Sequence, residues 1–547
     1  MPDLPEIDPV AAAGGAAPAS AAAAPPASTY DAVPYSVGAF PQTHPDRLAT
    51  IATLFRMRPA PPQRCRVLEL GCASGGNLIP MAWAMPESTF VGVDLSARQI
   101  ADGRAVVGEL ALRNLDLRAA SITDLGPELG EFDYVLAHGV YSWVPLAVQE
   151  AILDVCRDHL APHGVAYVSY NCYPGWHARG AIREMLWYHT GRFTDPADRI
   201  REAKGLLAFL AESVPPDDAG YGALVRRELA LLRMTPDTYL LHEHLEEFNE
   251  PLYFHQFAGR AAAKSLQYLG EAQVTAMMSG RFGPDTERTL RAISPDLLHM
   301  EQYMDFLRNR MFRQTLLCRA EVALDRALRP EAVYDFGVAS QANAVEPGPD
   351  AGDGERRFRG AHEATLTTRD PIMIAAMEHL GRQWPRPVQF DDLLAVARSA
   401  ASSNGASPSE EARRQLATRL LHCYASGVVE FSLAPPRFVV EVSERPVASP
   451  YARLRARDAD RVSNLRLESV GLTAPSRLVL RHLDGRHDRA ALVGLLTDWI
   501  EQRGREATPA RGASDDAGTL SGTARERAGA YVDAVLKAFA RSALLVE

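Results

Sequence analysis

The sequence predicts a multidomain α/β protein whose first folded part is a mostly parallel sheet covered by helices. Two observations predict this class: short β-branched runs alternate with helical stretches from Cys65 onward, and a glycine-rich turn follows the first run. The 547 residues are enough for roughly three or four domains. Because 47% of them are hydrophobic and 23% charged, most of the chain should fold. No run approaches the ~18 apolar residues that a membrane-spanning helix needs.

Five predicted strands and their crossovers follow the order of a doubly wound sheet. They are apolar or β-branched runs bounded by turn residues, and they cover 66–70, 89–93, 115–119, 132–137 and 165–170. Helices are expected over 77–85 and 148–160. Another helix should begin at Ser96, because Ser96 and Gln99 have the spacing of a capping box.

A helical stretch interrupts the alternation at about 178–250, where leucines recur with helical period and no strand run intervenes. We interpret it as a helical insertion. Beyond it, the pattern predicts a crossover helix over 253–264, a strand near 266–269, a helix over 295–308 and a strand over 312–318. With these two strands the α/β domain would close near residue 325.

The chain is therefore expected to contain five segments. Residues 1–29, rich in Ala and Pro, are interpreted as a disordered tail, 30–325 as the α/β domain and 326–365 as a polar linker. Helical patterns at 371–380, 390–397 and 412–424, followed by strand patterns at 428–433 and 437–442, suggest a winged-helix-like domain over 366–455. Residues 456–547 should form a mainly helical C-terminal domain.

Charge and cysteine content argue against several classes of function. The net charge of -10 gives no global reason to bind nucleic acid, whose phosphates favour basic surfaces. The six cysteines are scattered without a CxxC pair, so neither a disulfide framework nor a zinc site is expected, and a cytoplasmic location fits best. His242 and His244 lie among glutamates, a pattern more typical of a solvated helix face than of a metal site.

The chemistry-bearing motif is ELGCASGGN at 69–77, placed between the first strand and its helix, with Asp94 at the end of the second strand. Glycines let the backbone approach a ligand closely, and a carboxylate there can accept both ribose hydroxyls. The spacing alone fits NAD or S-adenosylmethionine. Two features favour S-adenosylmethionine. Glu69 lies two residues before the first glycine, and the helix after the loop lacks the kind of N-terminus that binds a pyrophosphate.

Four motifs occur along the chain in this order: ELGCASGGN, FVGVDLS, FDYVLAHGVYSWVP and VSYNCYPGW. Through them the chain resembles the class I S-adenosylmethionine-dependent methyltransferases that carry a methyltransferase regulatory domain. The stretches 35–48 and 244–269 resemble the same family, which includes the rickettsial protein-lysine methyltransferases that modify outer-membrane protein. The resemblance covers 30–325 well. It implies a seven-stranded Rossmann-like methyltransferase sheet and S-adenosyl-L-methionine as the cofactor.

The resemblance also implies which residues bind the cofactor. Glu69, Gly71 and Gly75 would frame its methionine portion, and Asp94 would hold the ribose. Ser121 and Ile122 would lie beside the adenine, with Asp124 as a substitute contact. The full expected set is Tyr35, His44, Glu69, Gly71, Ala73, Gly75, Asn77, Asp94, Leu95, Ser121, Ile122 and His138.

The methyl acceptor is expected at the ends of the fourth and fifth strands. Aromatic faces attract a cationic amine, and a histidine can relay its proton. The catalytic candidates are His138, Tyr141, Trp143, Tyr170 and Asn171, with Trp176 as a further pocket residue. Core packing remains an equal alternative for Trp143, and a structural role an equal one for His138.

These features predict an enzyme that N-methylates lysine side chains of a protein by in-line transfer. The additional domains suit a large substrate. A small-molecule methyltransferase and a non-catalytic S-adenosylmethionine-binding regulatory protein remain alternatives. No nucleic acid or membrane partner is expected. A homodimer, and an outer-membrane or surface protein as substrate before its export, remain open at this stage.

Overall fold

The computed structural model describes residues 38–346, 353–401, 410–434, 437–506 and 523–546. The expected tail at 1–29 lies outside these residues, and so does Tyr35. No helix within the described ranges is long and apolar enough to cross a membrane.

A seven-stranded sheet forms the centre of the α/β domain, as predicted. Its strands are β1 (Arg66–Leu70), β2 (Thr89–Asp94), β3 (Leu115–Ala119), β4 (Phe132–Ala137), β5 (Leu160–Asn171), β6 (Leu266–Glu271) and β7 (Phe312–Arg319). The order is β3-β2-β1-β4-β5-β7-β6, with β1 to β5 parallel and β7 antiparallel to both neighbours. The order reverses between β1 and β4, and open α/β sheets bind ligands outside the carboxyl ends of strands at such a point.

Helices cover both faces of this sheet. They begin with α1 (Pro45–Leu54), α2 (Leu78–Ala84), α3 (Ala97–Glu109) and α4 (Leu146–His159). As predicted, α3 begins after Ser96, whose hydroxyl accepts a hydrogen bond from the Gln99 amide. Alternate residues of β1 point to opposite faces, so Val67 and Leu68 join different apolar clusters.

The helical insertion forms a bundle with its own apolar cluster. Its helices are α5 (Trp176–Thr190), α6 (Pro196–Ser213), α7 (Tyr221–Met234) and α8 (Asp237–His244). The expected solvated face at His242 and His244 is wrong, because α8 packs inside the bundle and both side chains are buried. His244 Nε2 lies 2.8 Å from Glu228 Oε1. Among the described residues, no group of three or more His, Cys, Asp or Glu could hold a metal ion.

Three helices complete the α/β domain around its antiparallel edge. They are α9 (Phe254–Ala263), α10 (Pro284–Ile293) and α11 (Leu297–Arg308). The antiparallel pairing of β5 with β7 sets Asn171 opposite Phe312. The end of β5 and the start of β7 therefore meet at the ligand-binding edge of the sheet.

A second unit follows the sheet and has its own core. Its elements are β8 (Gly337–Ala339), β9 (Asn343–Val345), β10 (Arg356–Arg359), β11 (Thr365–Thr368), α12 (Pro371–Gln383), β12 (Val388–Gln389), α13 (Phe390–Ala401), α14 (Glu410–Ser426) and β13 (Glu430–Ser432). The stretch expected as a linker, 326–365, supplies β8 to β10. The predicted strand at 437–442 is not formed, since Phe438 packs on Leu465 and the Val439 amide donates to the Leu545 carbonyl.

The C-terminal unit contains a hairpin as well as helices. Its elements are α15 (Pro450–Arg455), β14 (Arg461–Ser463), β15 (Ser469–Gly471), α16 (Ala474–Arg481), α17 (Arg489–Glu506) and α18 (Ala524–Arg541). The strands β14 and β15 pair with each other in antiparallel register. A separate apolar cluster holds this unit together.

Candidate active site

A loop at 71–77, here called the glycine loop, joins β1 to α2 at the carboxyl edge of the sheet. Gly71 and Gly75 have φ of +72° and +74°, a region that favours glycine. Ala73 also has a positive φ, +50°, which is uncommon for a residue with a Cβ. The Ala73 amide donates to Asp94 Oδ2 at 2.8 Å, and this bond holds the strained residue against the end of β2.

Asp94 lies where the expected ribose contact should be. Its Oδ1 accepts from the Ser96 amide at 2.9 Å, while its Oδ2 accepts from Ala73. A carboxylate has about four acceptor positions, and these two backbone bonds occupy one position on each oxygen. The neighbouring Leu95 is 66% exposed, which places an apolar surface next to this carboxylate.

Glu69 is a buried carboxylate beside the glycine loop and is only 3% exposed. Its Oε1 accepts from Asn77 Nδ2 at 2.8 Å, whereas its Oε2 has no hydrogen-bond partner in the part of the chain that the structure describes. Burial raises the pKa of this carboxyl to about 7. A buried acceptor without a donor is costly, so Glu69 fits a ligand that brings a donor, as the amino group of the expected cofactor would.

The segment before α1 closes over the glycine loop. The Phe40 amide donates to Asn77 Oδ1 at 3.0 Å, and Asn77 Nδ2 donates to Thr43 Oγ1 at 3.0 Å. His44, a member of the expected cofactor set, caps α1, with its Nδ1 accepting from the Asp46 amide. Burial lowers the pKa of His44 to about 4, and its ring lines a cavity of about 350 Å³ that faces the two later units.

The expected adenine contacts follow β3. Ser121 Oγ lies 2.7 Å from Thr123 Oγ1, and Thr123 Oγ1 donates to Asp124 Oδ1 at 3.1 Å. Ile122 is half-buried against the apolar cluster on that face of the sheet. Because Asp94 pairs with Ala119 across the sheet, this turn lies next to the end of β2.

His138 lies at the end of β4, where the acceptor is expected. Its Nδ1 is 2.8 Å from the Tyr167 hydroxyl, and the Phe40 ring packs on the imidazole with 3.8 Å between ring centroids. Burial lowers the pKa of His138 to about 4, so the ring is neutral at pH 7 and only weakly basic. A Cβ on the next residue, Gly139, would meet no described atom within 4 Å, which indicates open space in front of this strand.

Tyr141 and Tyr170 lie in the core. Both are at most 1% exposed, and the Tyr170 ring stacks on Phe257 with 4.2 Å between centroids. The Tyr170 hydroxyl lies 3.1 Å from Thr315 Oγ1. Successive side chains of a strand point to opposite faces, and Tyr170 falls on the covered face of β5. This placement favours packing over contact with an acceptor.

Asn171, Trp143 and Trp176 join the end of β5 to the helical insertion. Asn171 Nδ2 donates to Asn249 Oδ1 at 3.0 Å. The Trp143 ring meets Trp176 edge-on at 6.1 Å, and only Trp143 is partly exposed, Trp176 being 2% exposed. Of the predicted acceptor set, His138 and Trp143 are therefore partly exposed near this edge. Asn171 is buried and bonds the end of β5 to the segment after the insertion.

Four rings that the sequence did not single out lie in two groups near the end of β5 and the start of β7, and we call them together the aromatic wall: Phe312 against His138, and Tyr173, His177 and Tyr253 against one another. Phe312 meets His138 edge-on at 6.2 Å and is 38% exposed. Tyr173 stacks on His177 at 4.0 Å and lies 5.3 Å from Tyr253, whose hydroxyl is 3.1 Å from His177 Nε2. The only local signal for them is the density of aromatic residues near 253–257, because strand pairing across a long insertion assembles the wall.

Three family models match the chain. They are described as a methyltransferase domain (residues 68–166), a predicted methyltransferase regulatory domain (236–319) and the C-terminal winged helix domain of PKMT (444–544). The winged-helix match lies later in the chain than the expected 366–455 and coincides with the unit that contains β14 and β15.

The chain is similar to rickettsial proteins over most of its length. It is 33% identical to the uncharacterized protein RP789 of Rickettsia prowazekii over 481 residues, covering 86% of each chain. It is 40% identical to the uncharacterized protein RP028 of the same organism over 241 residues, 44% of this chain and 96% of that protein.

A solved structure gives the same relationship in three dimensions. PKMT2 from Rickettsia typhi in complex with AdoHcy is 30% identical, with a TM-score of 0.82, over 94% of this chain and 100% of that one. AdoHcy is what S-adenosylmethionine becomes after losing its methyl group, so S-adenosylmethionine is the cofactor. The chain thus belongs to the class I S-adenosylmethionine-dependent methyltransferases that carry a regulatory domain and a PKMT-type winged helix, the family of rickettsial PKMT2.

Proposed function

We propose that this methyltransferase N-methylates lysine side chains of a protein substrate. The observation that carries the proposal is the aromatic wall at the end of β5 and the start of β7, where Phe312 meets His138 edge-on at the edge of the sheet that binds ligands in such folds. Ring faces attract an ammonium group by about 0.5–2 kcal/mol, and they do not supply a fixed negative charge that would hold the amine protonated. The exposed edge of Phe312 leaves room for a long side chain to enter from a protein surface.

The roles of individual residues follow from their positions. When bound, S-adenosylmethionine supplies an electrophilic methyl group on a sulfonium. Asp94 would accept the ribose hydroxyls, and Glu69 Oε2 would accept from the amino group of the methionine portion. His138 and Phe312 would orient the incoming amine and exclude water from one side of it. Because His138 is a weak base, the proton of the amine would leave to solvent at the open edge.

The comparisons support the same substrate class. PKMT abbreviates protein lysine methyltransferase, and the similarity to PKMT2 extends over that whole chain. A protein substrate would also use the two units that follow the sheet. A homodimer, a cytoplasmic location and an outer-membrane or surface protein as substrate remain predictions.

The proposal is tested by following the methyl group. The full-length protein is incubated with S-adenosylmethionine carrying a trideuterated methyl group and a cell extract, and the products are analysed by tandem mass spectrometry. We expect the label on lysine Nε atoms of extract proteins, and much less of it with an Asp94→Asn variant. Label confined to small molecules would establish the small-molecule alternative. No transfer, with AdoHcy binding retained, would establish a non-catalytic binding protein.

A further inference from the structure

Helix α11 (Leu297–Arg308) departs from the usual amphipathic arrangement, because it buries two acidic side chains beside Met304 and exposes apolar ones. Its inner face carries Glu301 and Asp305, both fully buried. Its outer face carries Tyr303, Phe306 and Leu307, and the last two are 47% and 52% exposed. A helix on a protein surface normally turns its apolar stripe to the core and its charges to water.

Buried ionic contacts fix this arrangement. Arg313 on β7 lies beneath the helix and is fully buried. Its Nε donates to Asp305 Oδ2 at 2.8 Å and its Nη2 to Glu301 Oε2 at 3.1 Å, while its Nη1 donates to Glu271 Oε1 at 2.7 Å. Turning the apolar side of α11 inward would leave this guanidinium without two of its carboxylates, which is strongly unfavourable. The apolar face is therefore held outward in the folded chain.

The outer face of α11 continues the aromatic wall. The Phe306 ring lies 6.1 Å from Tyr253, a member of the wall, and 6.1 Å from Tyr303 on its own helix. A polypeptide lying along Tyr303, Phe306 and Leu307 would therefore reach Tyr253, whose neighbour Leu252 bonds to the Asn171 carbonyl at the end of β5.

This continuity favours one of two candidate partners for the outer face of α11, a segment of the protein substrate over a second copy of the chain. Contiguous exposed apolar surface marks an interaction site. A second copy of the chain seated on Phe306 and Tyr253 would cover the edge through which an amine must enter. A substrate segment would instead cover α11 with the residues that flank its lysine and deliver that lysine to the wall.

We infer that the outer face of α11, formed by Tyr303, Phe306 and Leu307, binds apolar residues that flank the acceptor lysine of the protein substrate. The inference rests on the proposed function, because it concerns the substrate of the same site. It assigns sequence selectivity to α11.

The test uses two fluorescein-labelled peptides of 15 residues with one central lysine, flanked by Leu, Val and Phe in one and by Ser, Thr and Gln in the other. Binding to the full-length protein with AdoHcy is measured by fluorescence anisotropy, and methylation by release of AdoHcy from S-adenosylmethionine. We expect the apolar peptide to bind at least fivefold more tightly and to be methylated with a lower KM. The double variant Phe306→Ser/Leu307→Ser should lose this preference.

The matched control is Tyr188→Ser/Phe209→Ser, which removes two side chains of the helical insertion that are 92% and 62% exposed. This variant should keep the preference for the apolar peptide. Equal binding of the two peptides to the wild-type protein, or an unchanged preference in the α11 variant, would overturn the inference. A change of oligomeric mass in the α11 variant, with the preference intact, would assign the face to a second copy. Selective binding without methylation would support the docking surface and contradict the proposed function instead.

Discussion

At the scale of single residues, Glu69 is the most informative side chain. A strand buried on both faces normally carries apolar residues at every position, yet β1 places a carboxyl group there. One of its oxygens is bonded to Asn77, and the other has no donor among the described residues. We propose that the amino group of the cofactor supplies the missing donor.

The binding of AdoHcy should depend on pH through Glu69. Burial raises the pKa of this carboxyl to about 7, so below pH 7 the free protein holds a proton there that a cationic amino group must displace. The affinity should therefore rise, by up to about tenfold, as pH increases from 6 to 8. Titration calorimetry of the wild type and of Glu69→Gln should show this rise only in the wild type. The same pH dependence of AdoHcy affinity in both proteins would contradict the assignment of Glu69 to the cofactor site.

Replacing Asp94 should weaken cofactor binding strongly. Hydrogen bonds from the ribose hydroxyls to a charged acceptor are worth about 2–4 kcal/mol together. Asp94→Asn should lose most of this in AdoHcy affinity measured by calorimetry. Asp116→Asn, an exposed carboxylate on the adjacent strand β3, is the matched control and should bind normally. Equal affinity in the two variants would contradict the ribose assignment.

The residues proposed to bind the cofactor could be chosen from the sequence because they occupy short contiguous motifs, and the fold brings these motifs to one edge of the sheet. The acceptor residues could not be predicted as reliably. Tyr170 lies near the end of a strand as expected, but the sequence does not say on which face of β5 its side chain packs. Phe312 and Tyr253 become neighbours of the site only through the antiparallel placement of β7 and the helical insertion, which no local pattern specifies.

At the scale of elements, the contact between α11 and β7 depends on three carboxylates around two guanidiniums. Arg313 and Arg310 bind Glu271, Glu301 and Asp305, and the Arg313 guanidinium also lies 3.9 Å from the Phe254 ring centroid. Desolvation raises the pKa of Glu301 to about 7, although Arg313 opposes the shift. The cluster thus carries nearly balanced charge when Glu301 is protonated.

The two partners should respond very differently to substitution. Arg313→Met should cost about 3–5 kcal/mol, because it leaves buried carboxylates without their cation. Glu301→Gln should cost little at pH 6. Between about pH 4.5 and 7 the folded chain holds a proton on Glu301 that the unfolded chain releases, so this contribution to wild-type stability falls as pH rises. The melting temperature measured by calorimetry between pH 4.5 and 7 should depend less on pH in Glu301→Gln than in the wild type. An equally large loss in both variants would contradict this charge assignment.

The same scale shows why the strands of the large sheet were predictable and several later strands were not. The strands of the large sheet are continuous apolar runs, and tertiary contacts agree with that local signal. The stretch 437–442 is equally apolar, but its Phe438 is drawn into contact with the C-terminal unit. The strands of the true hairpin, β14 and β15, are only three residues each and partly polar, so the pattern did not reveal them.

At the scale of the whole molecule, α1 connects the glycine loop to the units that follow the sheet. Thr43, just before α1, is bonded to Asn77. In the first turn of α1, Asp46 Oδ1 accepts from the amides of Leu433 and Ala434 at 2.8 and 2.9 Å. Glu430 in turn binds Arg466 of the C-terminal unit at 2.7 Å. A continuous set of polar contacts thus joins the three units.

Asp46→Ala should weaken AdoHcy binding although Asp46 is not a proposed ligand contact. Loss of its two backbone bonds frees the start of α1, which positions Thr43 and Phe40 over Asn77. Couplings of this kind are worth roughly 0.5–2 kcal/mol, or about two- to thirtyfold in Kd. Asp102→Ala, an exposed aspartate on α3, is the control. Identical AdoHcy affinity in both variants would show that the contact of Asp46 with Leu433 and Ala434 does not influence the cofactor site.

A crystal structure of the full chain with AdoHcy tests the central claim most directly. The account predicts ribose hydroxyls on Asp94, the amino group of the ligand on Glu69 Oε2, and the sulfur directed toward His138 and Phe312. A ligand bound elsewhere, or bound there with Glu69 Oε2 still without a donor and the sulfur turned away from the aromatic wall, would contradict it.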